Sequence, residues 1–205
     1  LIIIEDAAEA LGSFYKRRHA GTFGNVGAIS FNGNKIITTG MGGAILTNDK
    51  KIFNKAKHLA ATAKLNSKWD YIHDEMGFNY RLPSLNASLG CSQLKKIKSL
   101  IKNKRKLFKS YQKSFSNIPF LRIFEEPLNT KSNYWLQTVI LKKGYEKLLN
   151  PILEKCYQEK IYIRPSWTPL HKLKFFKEYP KMNLDNTNSL FKRIINLPSS
   201  SFLVR

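Results

Sequence analysis

The chain has 205 residues, 42% of them hydrophobic and 24% charged, which is enough to bury the core of one domain or one and a half. No apolar run reaches the roughly 18–20 residues a membrane span needs, and Cys91 and Cys156 offer neither metal spacing nor a disulfide framework. These features argue against a membrane role, a metal site and a secreted disulfide scaffold, and for a reducing, cytoplasmic setting.

The first predicted element is a strand at Leu1–Ile4, apolar enough to be buried on both faces as parallel sheets require. Asp6 then falls at its carboxyl end, where open α/β sheets bind ligands. The chain opens inside that strand without an initiator Met, so the natural N-terminus is expected to lie upstream. Residues 12–24, with Tyr15-Lys16-Arg17-Arg18-His19 in the middle, read as a hairpin on the surface. Strands follow at Val26–Phe31 and Gly42–Thr47, separated by a loop that carries Lys35. Asn48-Asp49 caps a helix to about Ala63, and residues 66–80 are irregular. From Pro83-Ser84 a single amphipathic helix is expected to about Phe115, with Leu85, Leu89, Leu94, Ile97, Ile101, Leu107, Phe108 and Tyr111 at helical spacing. Cys91 reads as a small core residue of that helix. Short strands at Leu121–Phe124 and Tyr134–Leu141 come next. After them are a helix at about Tyr145–Lys160, a strand at Ile161–Arg164, a Pro-rich loop, a helix near Asn186–Arg193 and a segment at Ile194–Leu197. This second half is an α+β arrangement.

The net charge of +21 raises the possibility of nucleic-acid binding. The lysines are spread along the chain, however. The densest patch (Lys95, Lys96, Lys98, Lys102, Lys104, Arg105, Lys106, Lys109) alternates with apolar positions and reads as a solvated helix face. No stacking-aromatic pattern accompanies it, so nucleic acid is not the expected partner; a cationic surface would instead help collect an anionic substrate.

The chemistry concentrates around Lys35. A lysine acts as a nucleophile only when its amine can lose its proton, which needs a partly desolvated site. Gly33, Gly40, Gly42 and Gly43 around it let backbone approach a flat ligand. Ser30, at a strand end, is placed to give its hydroxyl to a phosphate. Taken singly, such a lysine is commonly a surface turn and Asp6 commonly a cap. The order strand-Asp-Ala-Ala, then strand-Ser-x4-Lys, brings an amine and a carboxylate to one sheet edge. That is the equipment for pyridoxal phosphate (PLP): the lysine bonds covalently to the cofactor, and the aspartate keeps its pyridine nitrogen protonated.

The segments Glu5-Asp6-Ala7-Ala8-Glu9-Ala10-Leu11-Gly12, Ser30-Phe31-Asn32-Gly33-Asn34-Lys35, Thr39-Gly40-Met41-Gly42-Gly43, Gly77-Phe78-Asn79-Tyr80-Arg81-Leu82 and Arg164-Pro165-Ser166-Trp167-Thr168-Pro169-Leu170-His171 resemble the DegT/StrS-type sugar aminotransferases. Within that family the Asn-Gly-Asn-Lys version is most similar to the legionaminic-acid (LegC-like) branch, with GDP-perosamine synthases next. The resemblance implies a type I PLP-dependent transferase (aspartate-aminotransferase-like) α/β fold. Residues 1–116 would be the C-terminal portion of the PLP-binding large domain with a long connecting helix, and residues 117–205 a small α+β C-terminal domain. It implies amino transfer from glutamate to a nucleotide-linked keto-deoxy sugar in surface-polysaccharide biosynthesis.

By the same resemblance, Lys35 is the cofactor-attaching lysine, Asp6 the partner of the pyridine nitrogen and Ser30 a phosphate contact. Glu9 stands where many relatives have Gln or His beside the ring's phenolic oxygen, and two anions there repel. Asn79 matches an asparagine that reaches the phosphate of the neighbouring subunit, which implies a homodimer with shared active sites. His171 is similar to a histidine near the sugar. Competing readings are a sugar dehydratase on the same scaffold, against which Lys35 argues because the dehydratases carry His there, a basic nucleic-acid module, and a non-catalytic fragment of the family.

Overall fold

In the computed structural model, which describes residues 1–204, the chain forms two compact units. One comprises Leu1–Ile101 and Pro127–Asn133, the other Lys102–Glu126 and residue 134 onward.

In the first unit, β1 (Ile4–Asp6) is followed by a hairpin of β2 (Phe14–Tyr15) and β3 (Arg18–His19). Then come β4 (Val26–Ser30) and β5 (Gly43–Leu46). β4 pairs in parallel with β1 and antiparallel with β5, giving a mixed sheet in the order β1-β4-β5. The expected burial of Leu1–Ile4 on both faces does not hold: all four residues are exposed, Leu1 completely. β1 pairs with β4 along one edge, and within it Glu5 is half-buried between exposed Ile4 and Asp6. Gly27 is required in β4, because a Cβ there would run into the carbonyl of Gly21.

Helix α1 (Lys50–Ala60) starts as expected: Asp49 Oδ1 accepts from the amides of Lys51 at 2.7 Å and Ile52 at 3.2 Å. The single helix expected from Pro83 is two, α2 (Ser84–Leu94) and α3 (Ile97–Phe115). The break lies at Lys95–Lys96, where the Lys96 amide bonds Gln93 O, and Ser99 Oγ turns back onto Lys96 O. Such i→i−3 bonds tighten the chain out of α-helical register. Cys91, expected in the core, is exposed.

In the second unit, strands β6 (Leu121–Ile123), β8 (Gln137–Leu141), β9 (Arg164–Pro165) and β10 (Ile194–Leu197) form an antiparallel sheet in the order β6-β8-β10-β9. β7 (Thr130–Lys131) lies between β6 and β8 in sequence but belongs to the first unit, where it adds to β2. Two expected strands are shorter than the apolar runs suggested. Tyr134 takes a positive φ of 48° and so stays outside β8, while Ile161 and Tyr162 are exposed ahead of β9. Val139, Leu141 and Ile195 form the core and gather Phe115, Phe120, Ile152 and Leu153 around them. Helix α4 (Leu149–Gln158) tolerates Pro151 because a first-turn residue needs no amide donor, and α5 (Asp185–Phe191) precedes β10.

Lys104 departs furthest from the solvated face expected of its basic run. It is 7% exposed, and its ammonium donates to Trp135 O at 3.0 Å and Ser199 O at 2.5 Å. Burial pulls its pKa down from 10.5 to about 8. The unfolded chain therefore holds more protons than the folded one between those two values, so stability should rise with pH across that window. Denaturant midpoints measured from pH 8 to 10.5 should climb for the native protein, and the climb should flatten in Lys104→Met.

Candidate active site

Asp6 ends β1 opposite Ala28 of β4. Because side chains alternate along a strand, Asp6, Ala28 and Ser30 share one sheet face, while Ile29 is buried on the other. The Asp6 carboxylate accepts the amide of Ala8 at 3.2 Å, so it caps a turn, and not a helix, after the strand. Ala7 is buried and hydrogen-bonds Ala28 O at 3.0 Å, fixing the chain as it leaves the sheet. Glu5 points the other way: its carboxylate accepts the Gly21 amide at 2.7 Å and the Gly24 amide. Partial burial pushes that carboxyl up, but the amides of Gly24, Gly21 and Phe23 outweigh it and hold it below the ordinary carboxylate range.

Ser30 closes β4, its Oγ accepting the amide of Asn32 at 3.2 Å. The loop beyond is held at several points. Lys35 N bonds Asn32 O, Thr39 N bonds Phe31 O, and Phe31 N bonds Gly42 O. Ile36 and Ile37 are buried beneath it. Helix α2 reaches across to the same loop: Gln93 Oε1 accepts the Thr38 amide at 3.0 Å, and Asn86 Nδ2 donates to Thr39 O at 2.5 Å. The left-handed Gly42, φ 114°, lies where a Cβ would press on Leu82. On this anchored loop the Lys35 side chain is only 12% exposed and its Nζ pairs with Glu9 Oε1. Glu9 is held in turn through its backbone, whose carbonyl accepts Asn133 Nδ2 at 2.6 Å.

Asn79 lies in the segment that docks against the end of α1. Phe78 N bonds Leu59 O at 2.7 Å, Tyr80 N bonds Ala60 O at 3.0 Å, and Asn79 bridges Ala61. Gly77 is obligatory, since a Cβ would strike the Thr62 backbone. Two further pairs fasten the preceding loop to α1: His58 Nε2 with Asp74 Oδ1 at 2.6 Å, and Lys55 Nζ with Glu75 Oε1 at 2.6 Å. The hydrogen bond from His58 holds the Asp74 carboxyl below its usual range. Asn79 itself is exposed. His171 belongs to the second unit, in a short 3-10 turn, with Nε2 3.1 Å from Asn188 Oδ1.

The structure thus brings Lys35 to Glu9 and sets Asp6 and Ser30 on one sheet face. Sequence reasoning missed the latch from Asn86 and Gln93. These residues lie seven apart, on one face of α2, and a polar pair at that spacing is the signal that could have revealed it. A shielded amine, two carboxylates and a hydroxyl at the ends of adjacent strands form a donor set that fits PLP.

The profile of the DegT/DnrJ/EryC1/StrS aminotransferase family matches residues 1–204. The chain is 40% identical over 205 residues to EpsN of Bacillus subtilis (strain 168), named provisionally as a pyridoxal phosphate-dependent aminotransferase, covering 97% of this chain and 52% of that one. It is 35% identical over 202 residues to the GDP-perosamine synthase of Escherichia coli O157:H7, covering 97% and 53%. Among solved structures, Helicobacter pylori PseC, an aminotransferase involved in the biosynthesis of pseudoaminic acid, matches with a TM-score of 0.92 at 26% identity, over 98% of this chain and 55% of that chain. The chain therefore spans about half the length of the curated relatives it matches. Among the described residues, no helix is long and apolar enough to cross a membrane.

Proposed function

The chain belongs to the DegT/DnrJ/EryC1/StrS aminotransferase family, and from that premise we propose that it serves PLP-dependent transfer of an amino group from glutamate to the keto group of a nucleotide-linked deoxy sugar. The shielded amine of Lys35 beside Glu9 is the observation that most supports this reading. When bound, PLP supplies the electron sink that stabilises a carbanion next to nitrogen. Lys35 would attach the cofactor, and once released its Nζ would carry a proton to and from the substrate carbon. Asp6 would keep the cofactor's ring nitrogen protonated. Ser30 would give its hydroxyl to the phosphate. Glu9, paired with the Lys35 side chain, would hold that amine in place before the cofactor is attached and after it is released.

Exposed Asn79 is assigned to the phosphate in a second subunit of a homodimer, and His171 to the sugar. Residues 1–116 are taken as part of a larger cofactor-binding domain and 117–205 as a small C-terminal domain. The named relatives, GDP-perosamine synthases and transaminases of UDP-linked amino sugars, support a nucleotide-linked substrate, and a cytoplasmic enzyme of surface-polysaccharide biosynthesis follows from that substrate. The test is an assay on protein purified from its own cells. Glutamate plus a nucleotide-linked 4-keto-6-deoxy sugar should yield 2-oxoglutarate and amino sugar in equal amounts. Release of 2-oxoglutarate that does not depend on the sugar would refute the proposal.

A further inference from the structure

The hairpin of β2 and β3 carries a basic run that the proposed reaction does not use. Its two turn residues, Lys16 and Arg17, have φ of 45° and 67°. A two-residue hairpin needs positive φ at both positions, for which Asn-Gly is the sterically easy choice. Here the turn holds two long cations in a conformation that side chains resist, the kind of local strain that accompanies binding sites. The conformation is locked by β7. Phe14 pairs with Lys131 and Tyr15 with Thr130, and the Lys16 amide bonds Asn129 O at 2.8 Å.

A groove of about 430 Å3 is lined by Phe14, Lys16, Arg17, Asn129, Thr130 and Lys131. Among the described residues, none of these three cations forms an ion pair with a carboxylate. Lys16 Nζ lies 5.4 Å from the centre of the Tyr15 ring, and the neighbouring Arg18 is engaged by Thr22 Oγ1 and by the ring of Phe23. Three like charges facing one concavity repel one another, and an anion seated among them removes that repulsion. A guanidinium forks two oxygens of one phosphate, and a pair of ammonium groups suits a second.

We propose that this groove is a binding site for a diphosphate group, presented either as inorganic pyrophosphate or by a nucleoside diphosphate. None of its lining residues is assigned a part in the proposed reaction, and it does not depend on that reading.

The experiment is calorimetric titration of protein previously loaded with PLP and freed of excess, so that the cofactor's own phosphate position is filled. Pyrophosphate and a nucleoside diphosphate are titrated separately, at low and at physiological salt. Three variants are compared: Lys16→Gly with Arg17→Gly, Lys131→Gln, and the control Lys95→Gln with Lys98→Gln. The first relieves the turn as it removes charge, so loss of folding does not obscure the result. Pyrophosphate should bind the native protein saturably and more weakly as salt rises. Its affinity should fall about tenfold or more in the two groove variants, as expected for loss of charge-assisted hydrogen bonds. The control should be unchanged. A nucleoside diphosphate binding more tightly than pyrophosphate identifies the nucleotide as the ligand; equal affinity identifies the diphosphate alone. No saturable binding, equal binding in the groove variants, or an equal loss in the control would overturn the proposal. So would retention on phosphatidylglycerol vesicles without affinity for either soluble diphosphate.

Discussion

Lys35→Ala should lower amino transfer by at least about a thousandfold, within the range that loss of a positioned acid–base group produces, and should leave the fold intact. The loop's anchors are buried Ile36 and Ile37 and the bonds to Thr38 and Thr39 from α2, none of which involves the lysine side chain. The ion pair with Glu9 is one contact at risk; Glu9 is 45% exposed, so loss of that pair should change stability by no more than about 1 kcal/mol. Lys35→Arg sharpens the result. A guanidinium can keep the pair with Glu9 but does not give up its proton. Equal inactivity in the Arg and Ala variants assigns the function to a deprotonatable amine. Activity retained in Lys35→Arg would assign it to the ion pair and remove the proposed chemistry.

Asp6→Asn should reduce kcat by about a hundredfold or more, the scale of losing one preorganised electrostatic partner of the reacting group. Asparagine keeps an oxygen that can accept the Ala8 amide, as Asp6 does at 3.2 Å, so the turn after β1 should survive. The unfolding midpoint should therefore stay near its native value while activity falls. A loss of stability with kcat preserved would reduce Asp6 to a turn cap.

Much of this arrangement is legible in the sequence, and the exceptions share a physical cause. The order Asp6, Ser30, Lys35 could be read directly, because strand ends and a glycine-bracketed loop are local features. So could the Asp49 cap, which needs only the amides two and three residues further on. What failed depends on neighbours. Leu1–Ile4 has the composition of a doubly covered strand, yet burial requires something to do the covering. Lys104 has the spacing of a solvated face. Its burial follows from the carbonyls of Trp135 and Ser199, residues 31 and 95 positions away, which no helical period can anticipate. Cys91 followed its residue type into a predicted core and lies exposed instead.

The site shows the same division. Glu9 looked misplaced beside a second anion, and only the folded loop brings Lys35 Nζ to it. Asn86 and Gln93 pass for solvent-facing polar residues until the backbone of Thr38 and Thr39 is seen beside them. Gln137 was unremarkable in sequence. It is fully buried in β8, with its side-chain amide donating to Lys104 O at 3.0 Å, and it ties the strand to the helix that carries the buried lysine.

The most direct test uses protein purified from its own cells, treated with borohydride to fix any PLP to the amine that holds it, then digested and read by mass spectrometry. The phosphopyridoxyl mass is expected on the peptide containing Lys35 and on that residue. A label on another lysine, or no label in protein that still transfers amino groups, would contradict that assignment.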